Sequence, residues 1–200
     1  MTNFTFQNIN TMTKTTFSLA MSLAALAFST NLKAQDTNKD DHTITITVPE
    51  VAIVDIEPSA TKNITLGFTP PTEAGLPIVS SGSNNTLWLN YSSIKSVADP
   101  TRNVSVSLNA VIPGIDINVT AAAATGAGGG TLGTPSAQLT LSAADQTIIS
   151  GIGSAYTGNG ANNGHNLTYA LAAGGSVANY ADLQATATTV ATVTYTISDN

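Results

Sequence analysis

Acid–base chemistry most often uses a carboxylate pair or a histidine, and the best candidates are Asp55 with Glu57 and the two histidines of the sequence. Asp55 and Glu57 alternate along an apolar run, so they share one face of a predicted strand. No second carboxylate pair is set at the separation that sugar hydrolysis needs, so a solvated strand face is favoured. His42 and His165 belong to no metal-ligand spacing, and no Gly-x-Ser-x-Gly elbow accompanies them. We expect His165 in a solvated loop, with a dyad to a distant serine as the alternative.

A glycine cluster at residues 126–130 has the composition of a phosphate-binding loop but not its context. No Gly-Lys-Ser/Thr follows it, and no predicted strand–helix pair encloses it, so a flexible loop is expected. The chain contains no cysteine, which excludes disulfides, thiolate metal sites and cysteine nucleophiles. The sequence therefore predicts no catalytic residue, no metal site and no cofactor.

Trp88, the single tryptophan, stands between Leu87 and Leu89 in an alternating run over residues 86–91. If the leucines point inward, Trp88 points outward, where it could contact a sugar or a partner protein. If Trp88 points inward, it is the core tryptophan of a β-sandwich. The core orientation is the favoured interpretation, and the exposed contact is the alternative.

The charge balance limits the partners that this chain could bind. Charged residues make up 9% of the sequence, and the formal net charge is −6. Of the six basic residues, only four follow residue 34, namely Lys39, Lys62, Lys95 and Arg102. Four scattered cations cannot neutralise a run of phosphates, so nucleic acid and anionic membrane surfaces are disfavoured as partners.

The first segment has the pattern of an export signal. A twelve-residue apolar run at residues 17–28 follows Lys14, and a small residue, Ala34, marks a cleavage position. The run is shorter than the ~20 residues that span a bilayer. We therefore expect a secretory signal peptide over residues 1–34, with Met12 as an alternative start to Met1, and no membrane span after cleavage. Residues 35–41 form a polar leader.

Short strands separated by turn residues dominate the rest of the chain, and no sustained helical periodicity occurs. Residues 42–200 are therefore predicted to form one all-β domain, an antiparallel Greek-key sandwich of the immunoglobulin or pilin kind, with a closed barrel as the alternative. Residues 121–133 and 151–164 are expected to be long surface loops. Residues 143–149 and 181–187 could each form a turn of helix. The predicted strands cover residues 42–48, 51–56, 63–68, 86–91, 103–110, 116–120, 138–141, 166–171 and 189–198.

The two ends of this domain carry its most regular strands. Ile44, Ile46 and Val48 alternate with threonines directly after the leader. At the other end, Val193, Tyr195 and Ile197 also alternate with threonines. An apolar ridge behind a polar leader is suited to completing the sheet of a neighbouring molecule, where its side chains fill alternate pockets. Residues 42–48 are therefore a candidate donor strand, and head-to-tail donation would build a fibre.

Residues 43–56 (TITITVPEVAIVDI) resemble the mature start of the major subunits of colonisation-factor (alpha-type) chaperone–usher fimbriae. These subunits begin with a Thr/Val-alternating donor strand and continue into a strand with an aliphatic–Asp–aliphatic step, here Val54-Asp55-Ile56. They also lack cysteine. Tyr180 before a final alternating strand is similar to pilin C-termini. The likeness covers only the two ends of the mature chain. It implies a periplasmic chaperone, an outer-membrane usher, other copies of the subunit as partners, and no catalytic residue.

Two functional hypotheses follow from the sequence. The first is a structural or adhesive subunit of a Gram-negative fimbrium, exported through the periplasm to the cell surface and assembled by donor-strand exchange. The second is a monomeric secreted β-sandwich that binds a glycan or a protein through its long loops or Trp88. In the second case residues 42–48 are the first strand of the chain's own sheet. A secreted hydrolase is a distant third.

Overall fold

The computed structural model describes residues 38–186 and 188–200, and within them the chain is built almost entirely of β-strands. Single turns of 3₁₀ helix lie at Ser59–Thr61 and Tyr180–Asp182. The strands are β1 Val51–Glu57, β2 Phe68–Thr69, β3 Val79–Ser80, β4 Ser83–Ile94, β5 Arg102–Leu108, β6 Ile115–Ala121, β7 Gly129–Pro135, β8 Leu139–Thr140, β9 Gln146–Tyr156, β10 His165–Ala173 and β11 Val193–Asp199.

Nine of these strands form one antiparallel sheet, in the order β11-β5-β9-β4-β10-β6-β8, with β1 added to β4 and β7 added to β9. Strands β2 and β3 form a separate pair. The large sheet divides into two groups, because β4 and β9 meet only at Ser92–Tyr156 and Ser93–Ala155. One group is β1, β4, β10, β6 and β8, and the other is β11, β5, β9 and β7. The path through the described strands does not close on itself, which argues against a barrel.

The core lies between the two groups, as in a β-sandwich, and strict alternation in the strands builds it. In β5, Val104, Val106 and Leu108 are buried while the residues between them are only partly covered. Leu87 and Leu89 of β4, from the other group, belong to the same core. Side chains that alternate along a strand point to opposite faces, so each strand contributes one apolar face. The all-β prediction is therefore confirmed, and strands near seven of the nine predicted positions are present.

The two segments that were expected to be glycine-rich loops contain the largest departure from the sequence prediction. Strand β7 begins within the first segment and continues to Pro135, and the end of β9 lies within the second. The two strands pair with each other along their length. The helical turn expected over residues 143–149 is also wrong, because β9 begins at Gln146. At the predicted strand over residues 63–68, only Phe68 is in a ladder.

Glycine explains why β7 and β9 were missed. Gly133 in β7 has a φ of +74°, and a Cβ built there would lie 2.6 Å from the carbonyl oxygen of Ser150. Neither the backbone angle nor the space suits a residue with a side chain. The glycines are therefore what lets β7 approach β9, whereas by composition alone they suggest a loop.

Residues 38–47 belong to a unit distinct from residues 48–200. Every residue from Asn38 to Thr47 is exposed, and none lies in a ladder. No strand is formed at residues 42–48, where one was predicted, and the first strand among the described residues starts at Val51. The predicted signal peptide and most of the leader lie outside the described residues. No helix in the described part of the chain is long and apolar enough to cross a membrane.

Candidate functional site

Strands β1 and β11 each leave one edge unpaired. Among the described strands, β1 has a ladder only with β4, and β11 has one only with β5. Their Cα atoms approach within 8 Å, yet no ladder joins them. An unpaired edge presents a row of free N–H and C=O groups that another strand can bond. We refer to these two edges as the β1/β11 edge pair.

Apolar side chains on the β1/β11 edge pair face the core but are only partly covered. Val193, Tyr195 and Ile197 lie opposite the fully buried residues of β5, so they point inward, yet each is only half-buried. On β1, Ala52 lies opposite the buried Ser93 and therefore also faces inward, although Ala52 itself is exposed. The core is thus incompletely covered along this pair of edges.

A single guanidinium joins the two edges at one end. Arg102 at the start of β5 is 1% exposed. Its Nε donates to the carboxylate of Asp199 at 2.7 Å, and its Nη1 donates to the carbonyl oxygens of Val51 at 2.6 Å and Ile94 at 2.9 Å. Its Nη2 donates to the carboxylate of Glu50. Strand β1 starts and β11 ends at this point, so Arg102 lies at one end of each edge. We call these contacts the Arg102 clamp.

The Arg102 clamp also accounts for the close approach of three carboxylates, an arrangement that resembles a cation site. Carboxylate oxygens of Glu50, Asp99 and Asp199 lie within 4.8 Å of one another. Two of the three bind Arg102, which supplies the positive charge that a metal ion would bring. From the sequence, Arg102 was expected to be no more than one of four scattered cations. The signal that was available is its place as the first residue of an alternating strand, where its side chain must turn inward.

The opposite end of the edge pair lies beside a cleft. Leu108, which pairs with Val193 at the start of β11, lines this cleft together with Ile112 and Leu141. Asp116 is at its rim and accepts hydrogen bonds from the backbone N–H groups of Val177 and Ala178, which fixes the loop after β10. The clamp therefore closes one end of the edge pair, and at the other end the start of β11 pairs with a residue of the cleft lining.

The candidate donor residues are exposed. Ile44, Ile46 and Val48 have exposed fractions of 74%, 78% and 68%. Three large aliphatic side chains in alternation, all in water, lose the ~1.5–3 kcal/mol that burial of each would provide. The threonines between them are exposed too. The ridge that the sequence predicts is thus present as an apolar surface without cover, and its role as a donor stays a prediction.

Trp88 does not have the core position that was favoured. The buried Leu87 and Leu89 point inward, so Trp88 lies on the outer face of β4, where it is half-buried. It lies opposite Glu57 of β1 and Asn166 of β10. Asp55 and Glu57 share this outer face, as predicted.

His165 is not the solvated loop histidine that was expected. It is fully buried at the start of β10, and its Nδ1 donates to the carbonyl oxygen of Ala122 at 2.8 Å. Its Nε2 lies 2.9 Å from the hydroxyl oxygen of Tyr91, which is also in contact with the carbonyl oxygen of Leu132, so the single phenolic proton is donated to one of these two acceptors. Burial lowers the pKa of His165 below its ordinary value and raises that of Tyr91. A neutral imidazole packed on a tyrosine explains these contacts, which do not include a serine hydroxyl.

A second buried tyrosine contact links the two groups of strands. The hydroxyls of Tyr169 in β10 and Tyr195 in β11 lie 2.5 Å apart. Burial raises the pKa of Tyr169 to about 12, and it also raises the pKa of Tyr195. Both phenols therefore keep their protons at neutral pH, and the hydrogen bond ties β11 to the opposite group.

No family model, curated protein or solved structure matches this chain.

Proposed function

We propose that this protein is a structural or adhesive subunit of a cell-surface fibre of the fimbrial type, assembled by donor-strand exchange. In this proposal the domain is a pilin-like sandwich with Greek-key connections that lacks one strand. Residues 42–48 of one copy supply that strand to the β1/β11 edge pair of the next. Export by a cleaved signal peptide, a periplasmic chaperone and an outer-membrane usher belong to the same proposal.

The observation that carries the proposal is a match between two surfaces of the chain. One is an exposed apolar ridge formed by Ile44, Ile46 and Val48. The other is a pair of unpaired edges beside half-covered apolar side chains, among them Val193 and Ile197. Each surface exposes what the other would cover, and the backbone of the ridge would satisfy the free edges.

The spacing of the edges sets a requirement for entry of the donor. A third strand lies ~4.8 Å from each neighbour, so two edges that hold it are roughly 9.6 Å apart. The edges of β1 and β11 come within 8 Å of each other, and they are joined at the Arg102 clamp. A donor strand would therefore pair first away from the clamp, at the end where the cleft lies, and would move the edges apart as it advanced.

A ridge variant tests the proposal. We expect Ile44→Ser/Ile46→Ser/Val48→Ser to abolish ladders of stable oligomers from cells that express the full chain in its native host. The matched control, Thr43→Ser/Thr45→Ser/Thr47→Ser, changes as many residues in the same segment but spares the ridge, so its ladder should equal that of the wild type. Wild-type chains that run as monomers, or a ridge variant that keeps the ladder, would rule the proposal out.

The alternative is a monomeric secreted module that binds a glycan or a protein. The outward position of Trp88 supports it, since a half-buried aromatic ring on the outer face, beside Glu57 and Asn166, can stack on a sugar and be flanked by hydrogen-bonding groups. Its assumption that residues 42–48 form the first strand of the chain's own sheet is not met. In this case Trp88→Ala would abolish ligand binding, and the ridge variant would leave it unchanged.

A further inference from the structure

We propose that the spacer Pro49-Glu50 prevents the donor segment from completing its own sheet, so that the partner of the β1/β11 edge pair is a second copy of the chain. This inference rests on the proposed function and adds to it the reason why the sheet is completed between molecules. Three features of the described residues carry it: the facing of β1, the residue types at the spacer, and the Arg102 clamp.

The orientation of the side chains of β1 determines which side chains of residues 42–48 would be buried if that segment folded back onto β1. Ala52, Val54 and Ile56 lie opposite the buried Ser93, Tyr91 and Leu89, so the even-numbered residues of β1 face the core. The odd-numbered residues, beginning with Val51, face outward.

A hairpin with Pro49-Glu50 as its loop has the wrong register. It would place Val48 opposite Val51, and residues that lie directly opposite in an antiparallel pair point to the same face. Val48, Ile46 and Ile44 would then face the solvent, and the threonines between them would face the core. A shift of one residue exchanges the two faces of a strand, so this hairpin would bury the wrong half of the donor.

The residue types at the spacer disfavour the same hairpin independently. Two-residue loops adopt type I′ or II′ turns, whose first residue has a positive φ. The ring of Pro49 holds φ near −65°, which excludes both turns. A three-residue loop over Pro49, Glu50 and Val51 would instead turn the ridge side chains toward the core. It needs a left-handed conformation at its third residue, and Val51 is β-branched, for which that conformation is a strained outlier.

The Arg102 clamp keeps the loop from growing into β1. Arg102 binds the carboxylate of Glu50 and the carbonyl oxygen of Val51, and Val51 also pairs with Ile94. A longer loop that recruited Val51 would break these contacts, which include a charge-assisted hydrogen bond at a fully buried guanidinium. A loop that grew in the other direction, over Val48, Pro49 and Glu50, would place Pro49 at the second central position of a type I turn, where proline is disfavoured. The spacer thus stays two residues long, and with two residues the ridge cannot face the core of its own chain.

Replacing Pro49 by the dipeptide Asn-Gly tests this inference in the full chain. The added residue shifts the register so that Ile46 lies opposite Ala52 and Ile44 opposite Val54, and Asn-Gly is suited to a type I′ turn. We expect a closed monomer: the oligomer ladder is lost, and the melting temperature rises relative to that of the ridge variant. The control Pro49→Gly removes the ring but keeps the register, so it should retain the ladder.

The outcomes separate the two proposals. An Asn-Gly variant that keeps the wild-type ladder, or a Pro49→Gly variant that becomes monomeric, overturns the role of the spacer. If in either case the ridge variant still loses the ladder, the proposed function stands. If neither the wild type nor any variant forms a ladder, the proposed function itself fails. Loss of the melting transition shows that a variant has misfolded. The spacer inference requires that the Asn-Gly variant lose the ladder while it keeps its melting transition. An Asn-Gly variant that does not fold counts against the inference.

Discussion

At the scale of single residues, the buried polar side chains of this protein hold strands together. His165 and Tyr91 satisfy each other between β10 and β4, and Arg102 satisfies backbone carbonyls of β1 and β4. Each of these side chains lies where no water replaces a lost partner, so each is sensitive to small chemical changes.

His165 should make the protein less stable in mild acid. Because its folded pKa lies below the ordinary value of 6.5, the unfolded chain binds more protons as the pH falls through that value. The contribution of His165 to stability is thus complete above about pH 6.5 and declines below it, by at most about 1.4 kcal/mol per pH unit. Urea unfolding at a series of pH values measures this slope. His165→Gln should flatten it, whereas His42→Gln, in the exposed segment, should leave it unchanged.

Arg102→Lys should destabilise the fold although it keeps the charge. A lysine has one ammonium group where Arg102 uses three nitrogens in a planar fork, so bonds to Asp199, Glu50 or the Val51 carbonyl are lost. We expect a loss of about 1–3 kcal/mol in the free energy of unfolding. Lys95→Arg, on an exposed side chain, is the matched control and should change it little. Equal unfolding midpoints for the two variants would show that the fork is not needed.

At the scale of secondary structure elements, the pairing of β7 with β9 depends on where glycine stands. Gly133 and Gly151 both have positive φ, +74° and +71°, but a Cβ at Gly133 would collide with Ser150 whereas one at Gly151 would meet nothing within 4 Å. Gly151→Ala should therefore cost about 1–2 kcal/mol from the backbone alone. Gly133→Ala should cost a further 1–3 kcal/mol, roughly, from overpacking. Thermal unfolding of the two variants isolates the steric part, and equal melting temperatures would contradict it.

The same two strands mark the limit of prediction from the sequence. Strands with β-branched alternation, such as β5 and β11, were predicted because their pattern is local. Strands β7 and β9 have no such pattern, since their glycines serve a contact between residues distant in the sequence. Buried polar residues were missed for a related reason: nothing around Arg102 or His165 in the sequence records which strands lie beside them. The ridge at residues 42–48 was recognised by its alternation, but the exposure of its three aliphatic side chains is visible only in the structure.

At the scale of the whole molecule, a donor at one place and an acceptor at another give each copy two different ends. Such a heterologous contact grows a chain with a direction. The ridge variant can accept a donor strand but cannot provide one, so it should stop growth where it is incorporated. We expect that co-expression of the ridge variant with the wild type shortens the oligomer ladder in proportion to its share. The threonine-to-serine control should not shorten it. An unchanged ladder would contradict growth through the ridge.

The outward position of Trp88 has a practical consequence. It is the only tryptophan in the sequence, and it lies across from Glu57 at the far end of β1 from Arg102. Indole emission depends on the polarity around the ring, so the protein carries its own optical reporter of whether β1 stays bound to β4. Displacement of that strand could be followed in real time without attaching a dye.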